Sequence, residues 1–481
     1  MTIRAILAWF FFASLLLMIA LSTQDLPFEP QAVAWSFVFA FPAALSVMQG
    51  GLGHGATFQY PSAALVVLGM WIGMMAPSFV LDHPDAHKMF GYSDGALTLG
   101  RSLFFLWCTI FAIVSGRVTR ERIRLEPRVF DVVAVGIPVA TALSYLVASG
   151  QFSNYGGGSG VAEARPDGGV LAVSTAVGSS AMLALPAFLL MVAARARSVR
   201  LRALARACFA AAWVILFLSG GRRSLAYAAG VCFFIARGLG LKFRPSIAVG
   251  VGVALPVAIF LAFTYRGALQ SSNMRTSSFS DFMGVAMDAT ETVVIYQDKR
   301  SDAVDSFSDN AKLRLWYGPQ FFAVVDLWTD TGAAFRGTFL EGLIRTLPSW
   351  FFPAKNQLAD QYAIEPNLIQ SGRFPDIDLA PTPWMQWLYE LGFIGIVLGA
   401  SLYGRLVRWI DIRVARTASI YEALFWIGML PIIAGPEHTT DSLVQSARNL
   451  GFVVGSAYLI ISCLNRVFPS ETELQPAALP R

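Results

Sequence analysis

Four arginines have the type and placement to do chemistry. Arg222 and Arg223 stand side by side in Ser219-Gly220-Gly221-Arg222-Arg223-Ser224, a very tight turn between two apolar runs. Arg266 follows another apolar run in Thr264-Tyr265-Arg266-Gly267, and Arg345 lies within a long polar segment. A guanidinium presents a planar fork of donors that matches phosphate or carboxylate oxygens two at a time. A helix opening after Gly220-Gly221 would add free backbone N–H groups. The ligand expected of this set is a diphosphate. The bland alternative is contact with lipid headgroups or pairing with acids, and Glu341, four residues before Arg345, makes an ordinary helix ion pair.

A base able to take a hydroxyl proton could be His438, Glu437, Asp441 or a carboxylate such as Glu341. Each of these residue types is more often an exposed loop residue than a catalyst. The other histidines are His54, His83 and His87. His83 and His87 flank Asp82 and Asp85 in what reads as a solvated acidic loop. No Cys/His spacing suits zinc, so no metal and no cofactor is expected. The aromatics Trp316, Tyr317, Trp328, Trp350, Phe351 and Phe352 could stack on sugars, but most read as a small core or as residues at the interface.

The surrounding chain is apolar. Of 481 residues, 55% are hydrophobic and 14% charged, against about 25% charged in soluble domains. Runs of this kind read as transmembrane helices. Twelve stand out: Ala5–Leu21, Ala32–Met48, Ala63–Val80, Leu103–Gly116, Val129–Ser149, Val170–Ala194, Cys208–Ser219, Leu225–Gly238, Ile247–Thr264, Met385–Gly404, Ile420–Gly435 and Leu450–Leu464. None alternates at period two, which argues against a β-barrel. The fold expected is all-α, a polytopic membrane protein with about 12 spans and one large extracytoplasmic loop.

Four regions follow: a membrane block at 1–264, the loop at 265–383, three closing spans at 384–466 and a disordered tail at 467–481. The loop holds 14 acidic and 10 basic residues, which sets it apart as the polar segment, and long loops of this kind are commonly functional. Within it, Phe339, Leu340, Leu343, Ile344 and Leu347 recur at helical spacing, giving one amphipathic helix over Gly337–Leu347 that Pro348 ends. The four cysteines all fall in spans, so no disulfide holds the loop.

Orientation follows from basic loops. Arg117, Arg120, Arg122, Arg124 and Arg128 follow the fourth span, Arg195, Arg197, Arg200, Arg202 and Arg206 the sixth, and Arg405, Arg408, Arg413 and Arg416 the tenth. Positive loops stay cytoplasmic, which puts both termini inside and the long loop outside. The net charge of +5 is therefore a topology signal, and no nucleic-acid partner is expected.

The Ser219–Ser224 turn resembles the arginine-bearing turn of bacterial oligosaccharide repeat-unit polymerases, the Wzy-type O-antigen and exopolysaccharide polymerases. So do Phe335-Arg336-Gly337-Thr338-Phe339-Leu340-Glu341-Gly342-Leu343, Leu347-Pro348-Ser349-Trp350 and Phe352-Pro353-Ala354-Lys355. The return through Pro381-Thr382-Pro383 to Trp387-Leu388-Tyr389-Glu390-Leu391-Gly392-Phe393-Ile394-Gly395 is similar too. The resemblance implies a type-C-like membrane glycosyltransferase of the bacterial inner membrane. It would extend a glycan with undecaprenyl-diphosphate-linked oligosaccharide units, with a chain-length regulator and a flippase as pathway partners. It implies diphosphate contacts at Arg222, Arg223, Arg266, Arg336 and Arg345 and a base such as Glu341 or His438. The related O-antigen ligases carry an important histidine in the large outer loop, and this chain has none there. A transporter or flippase is the competing class; few ionisable residues sit at mid-depth, where coupling sites lie.

Single cysteines at Ser277 and Ser198, in a background without native cysteines, should label from opposite sides of the membrane. Labelling of both from the cytoplasm would remove the expected compartment.

Overall fold

A computed structural model describes residues 3–24, 30–49, 63–82, 84–116, 123, 125, 127–148, 170–218, 222–241, 287, 317–332, 337–347, 352, 354–362, 381–417 and 419–467. These residues form helices and no strand. In chain order they are α1 (Ile3–Gln24), α2 (Pro30–Gln49), α3 (Ala63–Met75), α4 (Pro77–Val80), α5 (Pro84–Phe90), α6 (Asp94–Ser115), α7 (Val129–Ala148) and α8 (Val170–Arg195). They continue with α9 (Val199–Leu218), α10 (Arg222–Gly238), α11 (Tyr317–Thr331), α12 (Thr338–Thr346), α13 (Lys355–Asp360), α14 (Pro383–Arg416), α15 (Ile420–Ala434) and α16 (Thr440–Val467).

Helices cover every apolar run except Ile247–Thr264, which lies outside the described residues, as does most of the loop and nearly all of the tail. By length and composition, α2, α6, α14 and the Thr440–Leu464 part of α16 can cross a membrane, and shorter apolar stretches lie at Trp9–Leu21, Ala63–Met75, Val129–Thr141, Met182–Arg195, Leu225–Gly238 and Ile420–Ala434. The amphipathic helix expected at Gly337–Leu347 is α12. Gly337 precedes it at φ +80°, a left-handed conformation that glycine adopts without steric cost.

Five runs depart from the sequence reading. α6 begins nine residues before Leu103, at Asp94, and α16 ten before Leu450, at Thr440. The run Ala63–Val80 is two pieces, because Pro77 has no N–H to continue α3 and instead opens α4. The run beginning at Cys208 starts nine residues earlier, at Val199, so Arg200, Arg202 and Arg206 ride on a helix. The span Met385–Gly404 is not straight, for the reason given below.

An aromatic centre holds the bundle. Trp71, Trp107, Phe104 and Trp384 are fully buried, and Phe79 stacks on Phe104 at 4.2 Å between centroids. Trp71 and Trp107 lie 5.8 and 6.1 Å from Trp384. At one end of the bundle, Ala63 N–H donates to Asp411 at 2.9 Å. Tyr421 there donates to Asp131 at 3.2 Å, and Ile123 N–H to the Gly238 carbonyl at 3.1 Å. At the other end, Arg101 donates to the Phe79 and Val80 carbonyls at 2.8 and 3.3 Å. Ser93 there donates to Asp326 at 2.6 Å, and Gly318 N–H to Ser78 at 2.9 Å. Residues that the basic-loop pattern assigns to one side thus meet one another, end by end.

Inside α14, Gly392 has φ +61° and ψ −143°, which is not helical. A Cβ built on Gly395 would sit 1.9 Å from the Trp387 carbonyl oxygen, and one on Gly399 would sit 2.6 Å from the Trp387 ring. A straight helix would hold these residues about 12 and 18 Å apart. Residues 383–391 therefore fold back along 393–416 as a helical hairpin. The second limb, about 36 Å long at 1.5 Å per residue, is long enough to span alone.

Gly392→Ala is expected to destabilise the protein strongly. The left-handed conformation costs a non-glycine about 1–2 kcal/mol. The added methyl also meets Trp328 at 2.5 Å, an overpacking cost of about 1–3 kcal/mol. Adding Trp328→Leu should recover only the second part in thermal unfolding. An unchanged midpoint in Gly392→Ala would refute the hairpin.

Candidate functional site

The connection between α15 and α16, Gly435 to Thr439, and the first turn of α16 with Asp441 gather the polar chemistry at the Arg101 end of the bundle. Pro431 lies in the last turn of α15, and its carbonyl accepts from the N–H of Gly435, the residue that caps the helix, at 3.0 Å. The chain then turns through Pro436-Glu437-His438, with His438 N–H donating to the Gly435 carbonyl at 3.1 Å. Tyr317 on α11 donates its hydroxyl to the Glu437 carboxylate. The His438 ring lies 6.1 Å from that of Tyr227 on α10. Thr439 donates to the Asp441 carboxylate, a negative group suited to the first turn of α16.

Two buried side chains of the α14 hairpin receive this connection. Gln386 accepts from Thr440 N–H at 2.8 Å and donates to the Thr338 carbonyl at 3.4 Å. Trp387 donates its indole N–H to the Thr440 hydroxyl at 3.1 Å. Glu390, also buried, accepts from the amides of Gly337 and Thr338 and so satisfies the first donors of α12.

α12 is fixed along its length as well. Gly342 stands so close to α16 that an added Cβ would lie 2.5 Å from Asp441 Cα. Arg345 donates to Glu341 at 2.9 Å and to Asp360 of α13 at 2.7 Å. Lys355 and Arg448 both donate to the Arg345 carbonyl, at 3.2 and 3.0 Å, and Lys355 reaches the Leu347 carbonyl at 2.6 Å. Two cations therefore complete the C-terminal end of this short helix, where free carbonyls and the helix dipole favour them.

Electrostatics within the group are strained. Burial, and then the nearby Asp441 charge, push the Glu341 carboxyl above its ordinary pKa despite the pull of Arg345. Burial also opposes the Arg345 charge, but the hydrogen bonds to Glu341 and Asp360 outweigh it and raise its pKa. Lys355 is lowered, by burial first and then by Arg448 and Arg345. A carboxyl whose pKa burial raises, beside an arginine, is the kind of group found at functional sites.

Glu341, Glu437, His438 and Asp441, the four bases the sequence left open, thus fall on one loop and the helix that packs on it. Arg345 is there too, in the helix pair with Glu341. Arg222 and Arg223 open α10, the helix that carries Tyr227 against His438. Arg266 and Arg336 lie outside the described residues, as do His54 and His83. His87 is elsewhere, 3.6 Å from Asp82, which also accepts from Tyr92 at 2.8 Å. Among the described residues no His, Cys, Asp and Glu cluster could hold a metal.

Sequence reasoning missed Tyr227, Gln386 and Arg448, and it gave no site role to Tyr317, read among the aromatics, or to Glu390. Arg448 alone has a signal, since an arginine beside an apolar run is a functional pointer, and the structure carries α16 back past it to Thr440. The others are polar residues at helical positions whose partners are distant in sequence. Comparison with protein-family models, curated proteins and solved structures finds no match to this chain.

Arg345→Ala should destabilise more than Glu341→Ala, by about 1–3 kcal/mol. The first leaves a mostly buried carboxylate alone, whereas the second leaves Arg345 with Asp360. The raised Glu341 pKa gives the sign: a protonated Glu341 needs no partner, so the Arg345→Ala loss should shrink at acid pH and grow as pH rises through that pKa. Equal, pH-independent losses in thermal unfolding would contradict the pairing.

Proposed function

We propose that the protein is a polyprenyl-diphosphate-dependent glycosyltransferase. In this reading it polymerises undecaprenyl-diphosphate-linked oligosaccharide units into a surface or extracellular polysaccharide at the outer face of the bacterial inner membrane. The observation that carries it is the convergence at one end of the bundle. Tyr227 on α10, the helix that Arg222 and Arg223 open, meets the His438 connection, and α12 with its Glu341–Arg345 pair packs on the Asp441 turn that follows it. Twelve spans with both termini cytoplasmic would place that end outside, by the positive-inside bias.

Chemically, the acceptor is a hydroxyl on one lipid-linked unit and the donor is the growing glycan on another lipid diphosphate. A base among Glu341, Glu437, His438 and Asp441 takes the hydroxyl proton as the oxygen attacks the anomeric carbon. The bond from that carbon to the diphosphate oxygen breaks, and the lipid diphosphate leaves. Charge develops on the leaving group, so cations fixed around it lower the barrier. Arg222 and Arg223 are the proposed clamp, joined by Arg266 and Arg336. A chain-length regulator and a flippase of the same pathway would act beside it.

A second reading, a transporter or flippase of a lipid-linked saccharide, has one observation in its favour. The fold-back of 383–391 resembles the discontinuous helices that build transporter sites. Purified protein supplied with labelled lipid-linked oligosaccharide separates the two: a polymer ladder supports the enzyme, and redistribution across vesicles without a ladder supports transport.

Arg222→Ala and Arg223→Ala should leave expression intact and abolish or greatly reduce polymer formation. Lysine at either position should rescue only in part, since it keeps charge without the bidentate fork. Full activity in both alanine variants would sink the clamp.

A further inference from the structure

The face that α12 buries is its polar one. At about 100° per residue, Thr338, Glu341, Gly342 and Arg345 share one side and Leu340 and Leu343 the opposite side. Thr338, Glu341 and Gly342 are buried, whereas Leu340 is 45% and Leu343 55% exposed. A helix on a soluble core does the reverse. Rotating α12 to bury its leucines would break nearly everything that holds it: Glu390 on its first amides, Asp441 against Gly342, Arg345 to Asp360, and the two cations on the Arg345 carbonyl. The leucines face outward because the polar side is fixed.

The same exposure continues next door. Phe352, just before α13, is 51% exposed, and Leu358 on α13 is 43% exposed. α13 is joined to α12 through Asp360 to Arg345 and Lys355 to the Leu347 carbonyl. In the other direction, Glu390 holds the start of α12 and stands two residues before Gly392. Immediately beyond that turn, Phe393, Ile394, Val397 and Leu398 are exposed on the long second limb of α14. Through Glu390 the start of α12 is therefore tied to the turn beyond which an apolar, outward-facing helix surface begins.

We infer that α12, with Phe352 and Leu358, lies in the interfacial layer of the outer leaflet, its leucine face turned into the acyl chains. The occupant of this face is a lipid surface, because the face continues the apolar exterior of α14. A short helix with leucines on one side and acid–base pairs on the other suits that layer, where apolar faces bury about 5–10 Å deep. The consequence is positional: Glu341 and Arg345 are held at headgroup level, on the protein side of the helix. The inference rests on the membrane-spanning reading and not on the glycan chemistry, so it survives if no polymer is made.

The test uses full-length protein without its four native cysteines, in nanodiscs of phosphatidylethanolamine and phosphatidylglycerol. Leu340→Cys and Leu343→Cys carry an environment-sensitive fluorophore, with Ile394→Cys as the lipid-facing control and Asp85→Cys as the aqueous one. Leu358→Cys replaces either α12 variant that fails a thermal-unfolding check. Nitroxide lipids labelled near the headgroup should quench the α12 positions more than lipids labelled deep in the chain, while iodide quenches them less than Asp85→Cys. Iodide quenching equal to that at Asp85→Cys would place the face in water and overturn the inference. Quenching by neither agent would mean that another protein surface covers it, and would overturn it equally.

Discussion

Gln386 ties three helices together from a site that water does not reach. Its side chain is fully buried, and its amide bridges the Thr338 carbonyl on α12 and the Thr440 amide that opens α16. A buried amide that loses a partner bears its full desolvation cost, whereas a satisfied one fixes geometry. This arrangement exists only because Gly392 reverses the chain. Without the fold-back, Gln386 and Trp387 could not face Thr440 while residues 395 and 399 lie against them.

From that reversal the rest of the polar end follows. Glu390 arrives beside the start of α12 and satisfies its first amides, and Lys355 and Arg448 satisfy its last carbonyls. A nine-residue helix is marginal by itself, so these end contacts, with Gly342 on Asp441, account for its position better than propensity does. The cost is concentrated charge. Glu341 lies close to Asp441 and takes its balance from Arg345, which is shared with Asp360. The opposite end has contacts of its own, among them Asp411 on the first amide of α3 and Glu422 with Arg413 and Thr417.

How apolar the chain is, and where, was legible. Helix starts and ends were read to within a few residues for most runs, because a window of apolar side chains is a local property. α12 was legible too, from a repeat at helical spacing and the proline that ends it. The Glu341–Arg345 pair needed only its spacing of four. The breaks at Pro77 and Gly392 were misread as continuous spans. Hydropathy is blind to the backbone angle that a glycine allows, and apolar residues on both sides of such a turn look like one helix.

The site divides the same way. Residue types and local spacing determined that arginines cluster beside glycines at the end of an apolar run, that Glu341 can pair with Arg345, and that four residues could act as a base. They did not determine which of these meet. Only the tertiary structure decided that His438 sits beside Tyr227, that Glu437 takes the Tyr317 hydroxyl, and that Asp441 lies against α12. It also decided which face of α12 is outward, reversing what a periodic pattern suggests for a helix on a core. The physical reason is range. Periodicity and propensity act over a few residues, whereas these contacts join positions about 50 to 200 apart in the chain, and their partners are set by hydrogen bonds that buried groups must satisfy.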